Sequence, residues 1–278
     1  MKPRVMSLVI FTCAVGLLTS NSNINITDSM IGITLVALGA GAAGCLNMWY
    51  EADLDALMTR TCLRPIPTGK INKQQALIFG IFLTVFSVGA LNYFANTLSA
   101  TLLLFTILFY LFVYTIWLKR ITPQNIVIGG VAGSLPPVIG WTIATNSISM
   151  VSISLFLIIF LWTPSHFWAL SLYKADDYKK ANIPMMPLTN GIEKTKIYIF
   201  IYSLLMLPVI ILPYAINFSG LIYLIPAMML TIYYNFICYD LYKHKKNKFV
   251  LKKAKKVFGY SILYLFLIFV LFLIDNLI

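Results

Sequence analysis

The chain predicts an all-α, polytopic membrane protein: nine transmembrane helices bundled around a cavity open to the cytoplasmic side. Three observations predict it. The 278 residues are 60% hydrophobic and only 11% charged, with a mean hydropathy of +0.85, a balance typical of chains dissolved in lipid. The apolar residues lie in long continuous runs, whereas a membrane β-barrel shows short alternating segments. The basic residues are gathered into a few segments with apolar stretches between them, as loops held on one side of a bilayer would be.

A helix needs about 20 apolar residues to cross the hydrocarbon, and nine segments qualify. The first, 5–20, follows Lys2 and Arg4 and resembles a secretion signal. No small-residue cleavage site closes it, so it reads as span 1. Span 2, 30–48, carries Gly39-Ala-Gly41-Ala-Ala-Gly44, small residues that let helix backbones approach closely. Spans 3 and 4, 75–94 and 98–117, are plain apolar runs. Span 5, 124–144, combines Gly129-Gly130-Val-Ala-Gly133 with Pro136-Pro137, and span 6, 150–171, contains Pro164. Proline kinks a helix, and broken helices at membrane depth are tolerated where they line a cavity. Spans 5 and 6 are therefore candidate cavity walls. Spans 7 to 9 follow at 197–216, 220–240 and 257–274. No linker or composition shift divides the chain, so 1–278 reads as one domain.

Every one of the 21 Lys and Arg residues falls at the N-terminus or in 49–74, 118–123, 172–196 or 241–256. With nine spans these five segments share one side, and the opposite connections hold none. The positive-inside rule places the N-terminus in the cytoplasm and the C-terminus outside, in a bacterial inner membrane. The net charge of +12 is this asymmetry, not a nucleic-acid footprint. The eight lysines of 243–256 read as a contact for anionic lipid. The four cysteines are scattered and argue against a disulfide framework.

Against this background, 47–65 stands out. Asn47-Met-Trp49-Tyr50-Glu51-Ala-Asp53-Leu-Asp55 is followed by Arg60 and Arg64, and it holds three of nine carboxylates. On a helix Asn47, Glu51 and Asp55 fall at i, i+4 and i+8, on one face. Carboxylates at a membrane boundary are functional-site candidates by default. Mg²⁺ binds through a few carboxylates together with substrate phosphates, and arginine forks grip phosphate oxygens. The pattern fits a metal-bridged diphosphate. A solvated loop of mutual ion pairs is the bland alternative.

A second acidic pair, Asp176-Asp177, follows span 6 on the same side, beside Lys174 and Tyr178. Upstream lies His166-Phe-Trp168. A lone intramembrane histidine is as often a helix-helix hydrogen bonder as a base or a heme-facing imidazole, and both readings stand.

These residues resemble the UbiA-type intramembrane prenyltransferases over essentially the whole chain. The resemblance rests on Asn47 to Asp55 with Arg60 and Arg64-Pro65, on Tyr114-Thr and Trp117-Leu-Lys119-Arg120, on Asn125 to Gly130, and on His166-Phe-Trp168 with Asp177-Tyr178. Within the superfamily the heme-farnesylating branch is the most similar, because Tyr173 stands where a first aspartate of the second motif is usual, leaving Asp177. Glu51 stands where Asp is usual, and its extra methylene shifts any metal geometry.

The resemblance implies transfer of a farnesyl group from farnesyl diphosphate to a vinyl group of protoheme IX, with water added. It implies Mg²⁺ on Asn47, Glu51, Asp53, Asp55 and Asp177, and diphosphate on Arg60, Arg64, Lys174, Lys119 and Arg120. It further implies a prenyl or heme pocket near Trp49, Tyr50, Trp168 and Tyr178, His166 as the water-orienting base, and a downstream heme-modifying or oxidase-assembly protein as partner. The competing classes are a prenyltransferase of a quinone precursor or another tetrapyrrole, and a non-enzymatic heme-handling or transport protein.

Overall fold

The computed structural model describes residues 3–20 and 22–277; Lys2 lies outside them. Helix α1 (Pro3–Leu18) comes first. It is followed by α2 (Ile26–Tyr50), the short α3 (Ala52–Leu57), α4 (Lys73–Phe94) and α5 (Thr97–Leu108). The chain then continues as a π-helix over Phe109–Trp117 and one turn of 3₁₀ helix, Leu118–Arg120. Next come α6 (Asn125–Ser134), α7 (Pro136–Thr145) and α8 (Met150–Tyr173). The short α9 (Ala175–Lys180) and α10 (Met186–Thr189) precede α11 (Gly191–Ala215), α12 (Leu221–Lys243) and α13 (Asn247–Leu277). Among the described residues, eight helical stretches are long and apolar enough to cross a membrane, and α1 is a shorter apolar helix. The protein is thus an all-helical, multi-pass membrane protein.

Helix starts follow from local chemistry. Asn72 and Gln75 form a reciprocal capping box at α4, and Ser149 and Ser152 do the same at α8, satisfying amides that no helical carbonyl reaches. The expected break in span 5 is real. Pro136 cannot donate a backbone hydrogen bond, and a new helix starts at it, which separates α6 from α7. Pro164 acts differently, since α8 runs through it as one helix.

Packing reverses the rule for proteins in water. On α4 the buried residues Ala76, Gly80, Leu83, Ser87 and Leu91 form one stripe at three- and four-residue spacing. The rest of that helix presents Ile78, Phe79, Ile81, Phe82, Val85 and Phe86 outward. An apolar outer surface suits lipid, and small residues suit a helix interface there. The tightest crossing joins α1 to α7: a Cβ on Gly140 would lie 1.9 Å from the Cys13 carbonyl oxygen, and one on Gly16 would lie 2.1 Å from that of Pro137. Only glycine permits such backbone contact.

One core cluster gathers α8, α11, α12 and α13 around Trp168, Tyr234 and Tyr264. The other joins α1, α2, α4, α5 and α7 around Leu17, Leu103 and Ile139.

The connections sort onto two ends. At one end Glu51 meets Lys119, Thr59 meets Asp177, Lys255 sits over Tyr173, and Lys196 meets His244. Basic segments from four connections therefore share that end. At the opposite end the Asn96 amide donates to the Thr142 carbonyl, and the Asp275 carboxylate accepts from the backbone N–H groups of Gly220 and Tyr223.

Candidate active site

The site begins where α2 ends. The helical path tilts at Glu51, yet the Glu51 N–H still donates to the Asn47 carbonyl at 2.9 Å and the Asp55 N–H to the Glu51 carbonyl at 2.8 Å. The four-residue ladder thus crosses from α2 to α3, and Asn47, Glu51 and Asp55 stay on one face as their spacing predicts. All three are buried, at 0%, 2% and 3% exposure. Asp53 points elsewhere and is exposed.

Each carboxylate has a partner. The Lys119 ammonium lies 2.5 Å from Glu51 Oε1. One Arg64 nitrogen donates to both oxygens of Asp55, at 2.8 and 2.7 Å. Arg120 pairs with Asp53 at 3.1 Å and lies over the Tyr50 ring at 5.2 Å. Asp177, buried on the opposing connection, accepts from the Thr59 hydroxyl at 2.8 and 2.9 Å and has Lys174 at 3.9 Å. Arg60 is exposed and has no carboxylate partner among the described residues. A carboxylate at membrane depth is expensive unless paired, so a cation for each one is what burial demands.

The π-helix contributes two groups that the sequence reading carried in its Tyr114-Thr motif without giving either a role. Thr115 donates to the Tyr110 carbonyl five residues back, at 2.8 Å, and accepts from the Asn47 amide at 3.0 Å. Tyr114 stacks on Tyr110, lies under the Lys119 ammonium at 5.8 Å, and fills the space beside Gly129, where a Cβ would lie 2.2 Å from its ring. Glu51, Tyr178 and Arg60 lie within electrostatic range of the Tyr114 phenol. Thr59 is the residue that sequence reasoning missed, while Tyr114 and Thr115 were marked as part of the resemblance and given no place in the site.

The structure thus brings together Asn47, Glu51, Asp55, Arg64, Lys119, Tyr178 and Asp177 with Thr59. Four expectations require correction. Asp53 and Arg120 form an exposed pair outside the buried face, because position 53 is two residues from Glu51 and so turns away from it. Trp168 has no accessible surface and packs against Tyr198 and Tyr202 inside the helix core, so it does not line an open pocket. His166 is wedged between Trp162 and Phe258, with ring centroids at 4.2 and 4.6 Å, and its Nδ1 lies 2.6 Å from the Ser261 hydroxyl. That is the helix-helix arrangement of the bland reading, joining α8 to α13.

Asn47, Glu51, Asp55 and Asp177 supply only hard oxygen donors, the kind that Mg²⁺ selects. Among the described residues no three His, Cys, Asp or Glu side chains form a group able to hold a metal ion. The donor chemistry fits the ion, and the present pairing is with internal cations.

The structure is an all-helical membrane bundle with a buried Asn47/Glu51/Asp55 face, tied through Thr59 to a second acidic connection, with Lys119 and Arg64 on its carboxylates. Residues 8–262 match the UbiA prenyltransferase family, and the chain belongs to it. It is 76% identical over 276 residues to the protoheme IX farnesyltransferase of Pelagibacter ubique (strain HTCC1062), spanning 99% of this chain and 91% of that one. It is 52% identical to protoheme IX farnesyltransferase 2 of Mesorhizobium japonicum, spanning 99% and 88%. Among solved structures, a digeranylgeranylglyceryl phosphate synthase superposes with a TM-score of 0.82 at 20% identity, over 99% of this chain and 94% of that one. A UbiA homolog from Archaeoglobus fulgidus bound to DMAPP and Mg²⁺ gives 0.71 at 16% identity, over 96% and 97%. Those two likenesses speak for the fold.

Proposed function

We propose that this protein transfers the farnesyl group of farnesyl diphosphate to a vinyl carbon of protoheme IX. Water then adds, giving the hydroxyethylfarnesyl substituent of heme O and releasing diphosphate. The observation that carries this reading is the 76% identity over 99% of the chain to a protoheme IX farnesyltransferase.

The residues divide the work in this proposal. Asn47, Glu51, Asp55 and Asp177 would hold Mg²⁺, which when bound neutralises the departing diphosphate. Arg60, Arg64, Lys119 and Lys174 would grip the phosphate oxygens, so charge on the leaving group is met by donors already in place. Tyr114 and Tyr178, with Trp49 and Tyr50 at the end of α2, offer π-faces to the allylic cation that remains as the C–O bond breaks. The vinyl group attacks that cation, and burial of the site keeps water from capturing it first. Thr59 positions Asp177. His166 holds α8 against α13 through Ser261, leaving the water-orienting base to another group.

The basic end faces the cytoplasm of a bacterial cell in this reading, with the C-terminus outside. A decisive experiment is expression of the chain in a host lacking heme O, followed by mass analysis of extracted hemes. Heme O is the expected product. Prenylation of a quinone precursor with heme B left unchanged would reject the acceptor.

A further inference from the structure

We infer that Lys119 and Arg64 are internal stand-ins for the metal. They neutralise Glu51 and Asp55 in the resting protein and change partner, from carboxylate to phosphate, when a divalent cation and a diphosphate ester arrive together. This rests on the diphosphate-binding part of the proposed function and adds an order of events to it.

The buried carboxylates differ from the exposed one. Glu51 and Asp55 are almost inaccessible, and each is held by a single short ion pair, at 2.5 Å and 2.7 Å. Removing a cation from a buried carboxylate leaves an uncompensated charge, which is strongly unfavourable. Asp53, in solvent, could lose Arg120 at little cost. Occupation of the inner face is therefore obligatory, and the chain itself supplies the occupants.

The two sides of each pair also differ in anchorage. The carboxylates sit on the continuous hydrogen-bonded path of α2 and α3. Lys119 hangs on four methylenes from a single 3₁₀ turn, and Arg64 belongs to the turns that follow α3. When partners exchange, the cations are the groups free to swing.

Charge balance then sets the order. Glu51 and Asp55 with Lys119 and Arg64 make a neutral set. A divalent cation alone leaves two positive charges in excess in a poorly solvated site. A diphosphate ester brings roughly three negative charges, and the unpaired Arg60 supplies one more positive charge, restoring neutrality. Metal and diphosphate should therefore bind with strong positive coupling. Lys119 is the reporter, because its amine is chemically accessible only when released from Glu51.

The test is reductive methylation of the full chain in lipid nanodiscs, followed by peptide mass spectrometry, with exposed Lys179 as internal reference. Three conditions suffice: no added ligand, saturating Mg²⁺ alone, and Mg²⁺ with inorganic diphosphate. Lys119 labelling should be slow, then several-fold faster, then slow again. In parallel, Lys119→Gln should bind Mn²⁺, followed by its electron spin resonance, roughly tenfold more tightly than the natural protein without diphosphate, and should lose most of the coupling. Labelling of Lys119 that ignores Mg²⁺ would overturn the inference, as would a variant whose Mn²⁺ affinity is unchanged or weaker. If the variant fails to fold, the labelling of the natural protein decides alone. Heme O formation with an unresponsive Lys119 would sink this inference and leave the reaction intact. A responsive Lys119 without heme O would do the reverse.

Discussion

The hydroxyl of Thr59 lies 2.8 Å and 2.9 Å from the two carboxylate oxygens of Asp177, joining connections that are 118 residues apart in sequence. This is the direct bridge between the first and second acidic segments. It ties Asp177 to the turn that follows α3, the short helix that carries Asp55.

Thr59→Val keeps the shape and removes the donor. Asp177 is then left with Lys174 at 3.9 Å as its remaining partner. Loss of a hydrogen bond to a buried charged group costs about 1.5–3 kcal/mol, so kcat/KM for farnesyl diphosphate should fall about tenfold or more, with Thr59→Ser close to normal. Steady-state kinetics on the two variants check this. A fully active Thr59→Val would mean that the bridge has no part in turnover.

Asp55→Ala and Asp53→Ala separate the buried face from its exposed neighbour. Asp55→Ala removes a group proposed at the leaving diphosphate and should reduce heme O formation roughly a thousandfold. Asp53→Ala, in solvent, should stay within about twofold of normal, since exposed ion pairs contribute little. Equal losses from both would discard the assignment. Chelation of Mg²⁺ should mimic the Asp55 variant and be reversed by adding the ion back.

The orientation of the bundle follows from its charges. Enzyme reporters fused within 243–256 should report the cytoplasm, and reporters fused after Ile278 the outer side. The opposite pattern would place the acidic face on the outer surface, away from cytoplasmic farnesyl diphosphate.

Gly140→Ala tests the α1–α7 crossing. Its methyl group would sit 1.9 Å from the Cys13 carbonyl oxygen, and backbone cannot rotate away as a side chain would. Overpacking of this kind costs about 1–3 kcal/mol, so thermal unfolding in detergent should drop by roughly 5 °C. An unchanged transition would show that the helices separate freely.

The spans and the acidic face were legible in the sequence for physical reasons. Hydropathy reads burial in lipid directly, and a four-residue spacing survives the bend at Glu51 because the backbone hydrogen bonds run through it. What stayed hidden depends on partners distant in sequence. Thr115 has no local pattern linking it to Asn47, and Thr59 none linking it to Asp177. Trp168 and His166 stand beside the second motif in sequence, yet they turn into the α8–α11 and α8–α13 contacts. Proximity along a helix does not say which face a ring takes. The exposed Asp53–Arg120 pair could have been separated from the site by counting residues around the helix.

The π-helix at Phe109–Trp117 constrains how this gene can change. Its lipid-facing residues, such as Phe112 and Trp117, look freely interchangeable, and single substitutions there should often pass unnoticed. Length is another matter. One residue fewer would let the segment relax to ordinary α-helical winding with the later residues kept in phase, at the loss of the wide turn in which Thr115 bonds back to Tyr110. One residue more has no such slack and would rotate everything after it by about 100°, carrying the Lys119 ammonium away from Glu51. Sequence drift in this stretch is therefore freest at its lipid-facing positions and restricted at Tyr114 and Thr115, and an added residue should be tolerated less well than a replaced one.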